Sequence, residues 1–174
     1  IGRIWSAVGI DNRLCSMSCD FCSFGEKWRL IDGDSEWPIE NVIRTARHSI
    51  REGASWFTLR TTEHYSTSRL IKLARQVRRA VPGDYALVVN TGELDQEKAY
   101  GLHEAGITGV YHTLRLGEGI NTRFDPELRL RTLAAVRDSP LELYHMVEPL
   151  GQEHTNDEIA DRLLIANEYG ASLS

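Results

Sequence analysis

Five βα units in series, and therefore an α/β fold around a parallel sheet, is what this sequence predicts. Three observations lead there. Apolar runs of strand length alternate with stretches of helical period. Pro, Gly, Asp, Ser and Thr stand at the junctions, where turns and caps need them. The units average about 35 residues, close to the span of a βαβ crossover.

The elements follow in order. Ile4 to Ile10 reads as a strand, followed by a loop that holds every cysteine. A helix is expected over 39–52, where Ile39, Val42, Ile43, Ala46 and Ile50 share one face. Pro38 suits its first turn and Gly53 its end. "SWFTL" (55–59) is the second strand. Ser66 or Thr67 caps a helix running to about Val81, which "PGD" breaks. "YALVV" (85–89) is a strand, 95–105 a helix stopped by Gly106, and "GVYHTL" (109–114) a strand. Asp125-Pro126 opens a helix to about Arg137, "LELYHMV" (141–147) is the fifth strand, and Thr155 or Asn156 caps the last helix. A barrel and an open doubly wound sheet both fit this order. In either, chemistry gathers where strands end and helices begin. The polar clusters "DNRLCSMSC", "RTTEHYS", "NTGELD", "RLGEG" and "EPLGQEH" sit there.

Bulk properties narrow the class. The 174 residues fit one domain, with 41% hydrophobic and 26% charged residues. A net charge of −5 offers no basic face for nucleic acid or anionic lipid. No apolar run approaches the roughly 20 residues that span a bilayer, and no nucleic-acid or membrane partner is expected. Three clustered cysteines cannot form a disulfide framework, which points to a reducing, cytoplasmic setting. The chain opens on "IGRIW" and stops at "NEYGASLS", where another strand is starting; residues 1–174 read as one core domain truncated at both ends.

"CSMSCDFCSFG" carries the chemistry. Cys15, Cys19 and Cys22 are spaced Cys-x3-Cys-x2-Cys, and no other thiol exists. Thiolates in this density select zinc or an iron–sulfur cluster. Structural zinc wants four closed ligands, and His64 is a possible fourth. An electron-transfer cluster normally takes four cysteines. Three leave one iron open to a substrate or cofactor.

Cys-x3-Cys-x-aromatic-Cys, here Cys15, Cys19, Phe21 and Cys22, resembles the signature of the radical S-adenosylmethionine (radical SAM) enzymes. Within that superfamily "IENVIRTARHSIREGASWF" and "INTRFDPELRLRTLAAVR" are similar to stretches of the biotin synthase-like group. The resemblance implies a partial (βα) barrel of the radical SAM type. It implies a [4Fe–4S] cluster on the three cysteines, with S-adenosylmethionine (SAM) chelated by the fourth iron. One electron then cleaves SAM to methionine and a 5′-deoxyadenosyl radical, which takes hydrogen from a small-molecule substrate. The electron comes from a donor such as flavodoxin or ferredoxin. The expected reaction is cofactor maturation of the iron-guanylylpyridinol hydrogenase kind, with amino-acid rearrangement and a non-enzymatic metal module as alternatives. Biotin synthase's second, sulfur-donating cluster has no thiol here at Thr58, Val88 or Leu143.

The same resemblance implies site residues. Phe21 contacts adenine. Thr61, Thr62 and Glu63 replace a Gly-Gly-Glu stretch that binds the SAM amino group, a task that Glu93 also fits. Arg115 joins the cofactor site, Glu118 accepts from the ribose and Arg123 pairs with the SAM carboxylate, with Arg129 a weaker candidate. Val147 and Leu150 line the adenine slot. Arg60, Tyr111, His112, His145 and Glu148 are possible substrate contacts. Alternation puts Tyr111 and Arg115 on one face and His112 on the other, without saying which faces inward.

Overall fold

The computed structural model describes residues 3–174. Its elements are β1 (Ile4–Gly9), β2 (Asp11–Asn12), β3 (Ser35–Glu36), α1 (Ile39–Arg51), β4 (Ala54–Arg60), α2 (Thr67–Ala80), β5 (Ala86–Asn90), α3 (Gln96–Glu104), β6 (Gly109–Tyr111), α4 (Pro126–Arg137), β7 (Glu142–Tyr144) and α5 (Asn156–Glu168). Strands β1, β4, β5, β6 and β7 form one parallel sheet in that order. Each strand is laid beside the one before it and the winding never reverses. Right-handed crossovers then put all the helices on one face. This order belongs to a partial (βα) barrel, and a doubly wound sheet is excluded.

Alternation along the strands divides the side chains between two faces. Val8, Phe57, Leu59, Leu87, Val89, Val110 and Leu143 turn to the helices and join the core with Val42, Ala46, Leu70, Val77, Leu102 and Leu133. The opposite face is concave. Trp5, Trp56, Thr58, Ala86, Tyr111 and Tyr144 line a cavity of ≈ 690 Å³ along it. The Trp56 and Tyr144 rings meet with centroids 4.1 Å apart. Trp56 has the small Ala86 beside it on β5, and Gly109 on β6 leaves room for the Tyr144 ring. A Cβ on Gly109 would collide with the Tyr144 ring. Gly109→Ala is therefore expected to cost about 1–3 kcal/mol by overpacking. The checks are a melting point lowered by several degrees and a weakened near-ultraviolet circular dichroism signal.

The helix starts follow the sequence closely. Asp95 accepts from the Lys98 amide (2.8 Å), Asp125 from the Glu127 amide (3.0 Å), and Thr155 forms a capping box with Glu158. Pro38 takes the N-cap position, one residue before the first turn expected for it.

Two features differ from expectation. Strands β6 and β7 stop at Tyr111 and Tyr144, short of the expected 114 and 147. Side chains take over there: the Leu114 amide donates to His145 Nε2 (3.3 Å) and Thr113 Oγ1 to the Met146 carbonyl (2.5 Å). The antiparallel pair β2–β3 has no clear sequence signal, and it closes the base of the cysteine loop. After α5 the chain returns beside β7, with the Ser172 amide donating to the Leu143 carbonyl (2.8 Å) and the His145 amide to the Leu173 carbonyl (2.9 Å). Among the described residues no helix is long and apolar enough to cross a membrane.

Candidate functional site

The cysteine loop is a run of tight turns. The carbonyls of Cys15, Cys19 and Cys22 each accept from the amide three residues on, at 3.1, 3.2 and 3.0 Å. Ser18 sits in the left-handed region (φ 46), and a Cβ on Gly25 would lie 3.2 Å from the Cys22 carbonyl oxygen. The backbone therefore fixes the cysteine spacing. A distant segment holds the loop in place: the Asp20 amide donates to the Asn121 carbonyl (2.9 Å) and the Arg123 amide to the Met17 carbonyl (2.9 Å). The loop follows β1, so it stands over the ends of the strands from which "RTTEHYS", "NTGELD", "RLGEG" and "EPLGQEH" leave.

Burial pushes the Cys15 thiol up, and pushes Cys19 to about 11 against the lowering effect of Arg115. These thiols stay protonated until a metal replaces the proton. Among the described residues no three His, Cys, Asp or Glu side chains close on a single-ion site. His64 Nε2 meets Ser16 Oγ at 2.7 Å.

Behind the loop lies a buried ionic chain. Arg129, 2% exposed, reaches Glu93 at 3.1 Å and Glu118 at 3.5 Å, and its guanidinium stacks 3.6 Å over the Phe124 ring. Arg115 approaches Glu118 (3.5 Å) and Glu148 (3.7 Å), and Tyr111 donates to Glu148. Burial alone would raise the Glu93 pKa. Hydrogen bonds from His112 and Thr132 and the charge on Arg129 win, and hold it at about 2. Burial raises Glu63 to about 7, partly offset by Arg129. Arg115 Nη1 and Arg129 Nε are buried and make no hydrogen bond among the described residues, each facing Glu118 Oε2 at 3.5 Å.

The depressed Glu93 pKa makes a pH prediction. Its stabilising contribution is complete above the ordinary carboxylate value of 4.5 and is lost as pH falls from there through about 2. Glu93→Gln is expected to flatten the acid-induced loss of stability over that window, as read by urea midpoints.

The expected residues fall into three groups. Glu63, Glu93, Arg115 and Glu118 meet in the ionic chain, and Tyr111 and Glu148 extend it to the concave face. Arg60 ends β4 exposed on that face. Phe21 is exposed, with the Arg115 guanidinium 6.0 Å from its ring. Thr61 bonds Thr91 (2.9 Å), and Thr62 is held by Asp11 through both its amide (2.8 Å) and hydroxyl (2.5 Å). Val147 lines the concave cavity, while Leu150 is exposed beyond it.

Three placements bear on the sequence reading. His112 and His145 are buried at 2% and 0% exposure. Burial lowers both to about 4. Arg123 is an exposed strut, bonded to the Ser16 carbonyl (3.1 Å) and Glu26 (2.9 Å), while the buried arginine of the site is Arg129. Leu143 turns to the helices, so the inward neighbours on β7 are Glu142 and Tyr144, neither a thiol. Asp11, which opens the polar cluster after the first strand and to which the sequence gives no role, is buried in β2 and bound to Thr62 and Arg13 (2.9 Å).

No family model matches the chain. It is 27% identical over 150 residues to the biotin synthase of Magnetococcus marinus, covering 81% of this chain and 46% of that protein. The chain thus spans about half the length of the curated relative it matches. Among solved structures it is similar to HydG, a maturase of the [FeFe]-hydrogenase (TM-score 0.74, 14% identity, 94% of this chain and 38% of that one). It is also similar to methylornithine synthase, PylB (TM-score 0.76, 13% identity, 97% and 52%). The architecture shared with both is a partial (βα) barrel.

Proposed function

We propose that this chain is the core domain of a cytoplasmic radical SAM enzyme of the biotin synthase-like group, acting on a small molecule. One observation carries the reading: three cysteines, spaced as that superfamily spaces them, are fixed by turns over the strand ends of a singly wound barrel. The donor set fits a [4Fe–4S] cluster with one iron left for SAM. When bound, that pair supplies one-electron cleavage of SAM and a radical that abstracts hydrogen.

The chain's own residues do the rest. Cys15, Cys19 and Cys22 would hold the cluster. The guanidinium donors of Arg115 and Arg129, which Glu118 meets only at 3.5 Å, suit a carboxylate, and Glu63 and Glu93 suit an ammonium. Phe21 and Val147 offer apolar surface for a base. Glu118, already held by Thr122 Oγ1 (2.8 Å) and the Arg115 amide (3.1 Å), keeps Arg115 and Arg129 aimed. Arg60, Tyr111 and Glu148 stand where the concave cavity opens and would orient a polar substrate. Cofactor maturation of the iron-guanylylpyridinol kind is the finer reading. Amino-acid rearrangement is the second, favoured by the fold shared with methylornithine synthase.

The test is anaerobic purification of the full natural chain, reconstitution with iron and sulfide, and EPR of the reduced protein. The expected result is a cluster signal that SAM perturbs, with 5′-deoxyadenosine formed. A colourless zinc protein would sink the reading. A cluster signal indifferent to SAM would replace it with an electron-transfer module.

A further inference from the structure

Strand β4 ends at Arg60, and Thr61, Thr62 and Glu63 then leave the sheet. Backbone pairing with β1 runs out at the same level, where the Arg60 carbonyl accepts from the Ile10 amide (2.8 Å). On the β5 side, Thr61 is still held: its amide donates to the Asn90 carbonyl (2.9 Å) and its hydroxyl to Thr91 Oγ1 (2.9 Å). On the β1 side no strand remains to take the Thr62 amide, and a side chain does so instead. Asp11 Oδ1 accepts from that amide (2.8 Å) and Oδ2 from the Thr62 hydroxyl (2.5 Å). Burying a carboxylate is costly unless it is bonded and paired, and Arg13 Nε supplies the opposite charge at 2.9 Å.

The hold on Thr62 passes directly to Glu63. Across the loop, a Cβ on Gly92 would lie 2.3 Å from the Glu63 carbonyl oxygen, so only glycine lets the two backbones come this close. The Glu93 amide donates to Glu63 Oε1 (3.3 Å), and the Glu63 backbone hydrogen-bonds the Cys15 sulfur. Glu63 is thus set between the cysteine loop and Glu93, with Asp11 and Gly92 fixing its backbone from opposite sides. The segment is gripped further on as well. Glu36, which faces Asp11 across the β2–β3 pair, accepts from the Tyr65 hydroxyl (2.6 Å) and from Arg69 Nη2 (2.5 Å).

We infer that Asp11 is a positioning residue for the SAM amino group, acting through Thr62 to fix where the Glu63 carboxylate stands. This rests on the reading under Proposed function, which gives Glu63 and Glu93 to the ammonium. Asp11 itself is spent on Thr62 and Arg13. Its effect is geometric: a carboxylate displaced from its place makes a poorer charge-assisted hydrogen bond.

Three readouts on the full natural chain, reconstituted without oxygen, test the assignment: SAM affinity by equilibrium dialysis, iron content, and hydrogen exchange of the Thr62 and Glu63 amides. Asp11→Ala is expected to weaken SAM binding about tenfold or more, the worth of one charge-assisted bond. Iron content should stay native, and both amides should exchange faster. Asp11→Asn should stay near native, since its amide group can still accept from the Thr62 amide and donate to the hydroxyl. In a Glu63→Gln background, Asp11→Ala should add little further loss, because the acid it places is gone. Native SAM affinity in Asp11→Ala overturns the inference. So does an equal fold-loss in both backgrounds, or iron content that falls along with affinity, since either marks a general structural role. Should Asp11→Ala fail to fold, Thr62→Val, which keeps the amide bond and loses the hydroxyl, is read the same way with a smaller loss. A native protein that holds a cluster but binds no SAM overturns the proposed function instead, and exchange at Thr62 and Glu63 then decides whether Asp11 holds the acid.

Discussion

Cys19→Ala is expected to yield protein that folds but takes up no cluster. After anaerobic reconstitution it should lack the broad visible absorption of iron–sulfur protein, show no EPR signal on reduction and form no 5′-deoxyadenosine. The effect is all-or-none for a physical reason. Three thiolates are the whole protein ligand set, and the sequence has no spare thiol to substitute. Folding should survive, because the loop is fixed by backbone bonds from its carbonyls and from Asn121 and Met17, none of which involve sulfur. Circular dichroism separates this outcome from unfolding. Native visible absorption in the variant would show that the metal sits elsewhere.

Arg129→Met is expected to be the most destabilising single change in the site. The guanidinium lies between Glu93 and Glu118, with side chains 22% and 1% exposed, so its removal leaves two buried carboxylates without their shared cation. Breaking such a group by deleting one member typically costs about 3–5 kcal/mol. For a domain of this size that lowers the melting point by roughly 2–4 °C per kcal/mol. Lysine is no substitute, since a point charge cannot span both acids and also stack on Phe124. The check is urea denaturation of Arg129→Met alone and with Glu93→Gln. The second change should restore part of the loss, and strict additivity would contradict the shared-cation account.

Much of this architecture is written plainly in the chain. The βα alternation, the caps at Asp95, Asp125 and Thr155, and the cysteine spacing all depend on local rules and survive into the structure. What stayed hidden depends on which face a residue takes. His112 and Tyr111 are adjacent in a polar stretch, and alternation alone could not tell that Tyr111 faces the concave side while His112 turns to Glu93. Likewise Arg123 and Arg129 differ by six positions in an arginine-rich segment. Only the start of α4 at Pro126 decides that the second is buried and the first stays outside. The hairpin of β2 and β3 joins residues more than twenty apart with two pairs, too short a pattern for periodicity to register.

The stitching of residues 16–20 to residues 121–123 sets an order of events during biogenesis. Those anchors are a hundred positions downstream and fall into place only after three intervening crossovers have wound. Until then the thiols rest on their local turns alone, without the tertiary anchors that hold the loop over the strand ends. Stable cluster insertion is therefore expected to follow the winding of the third crossover.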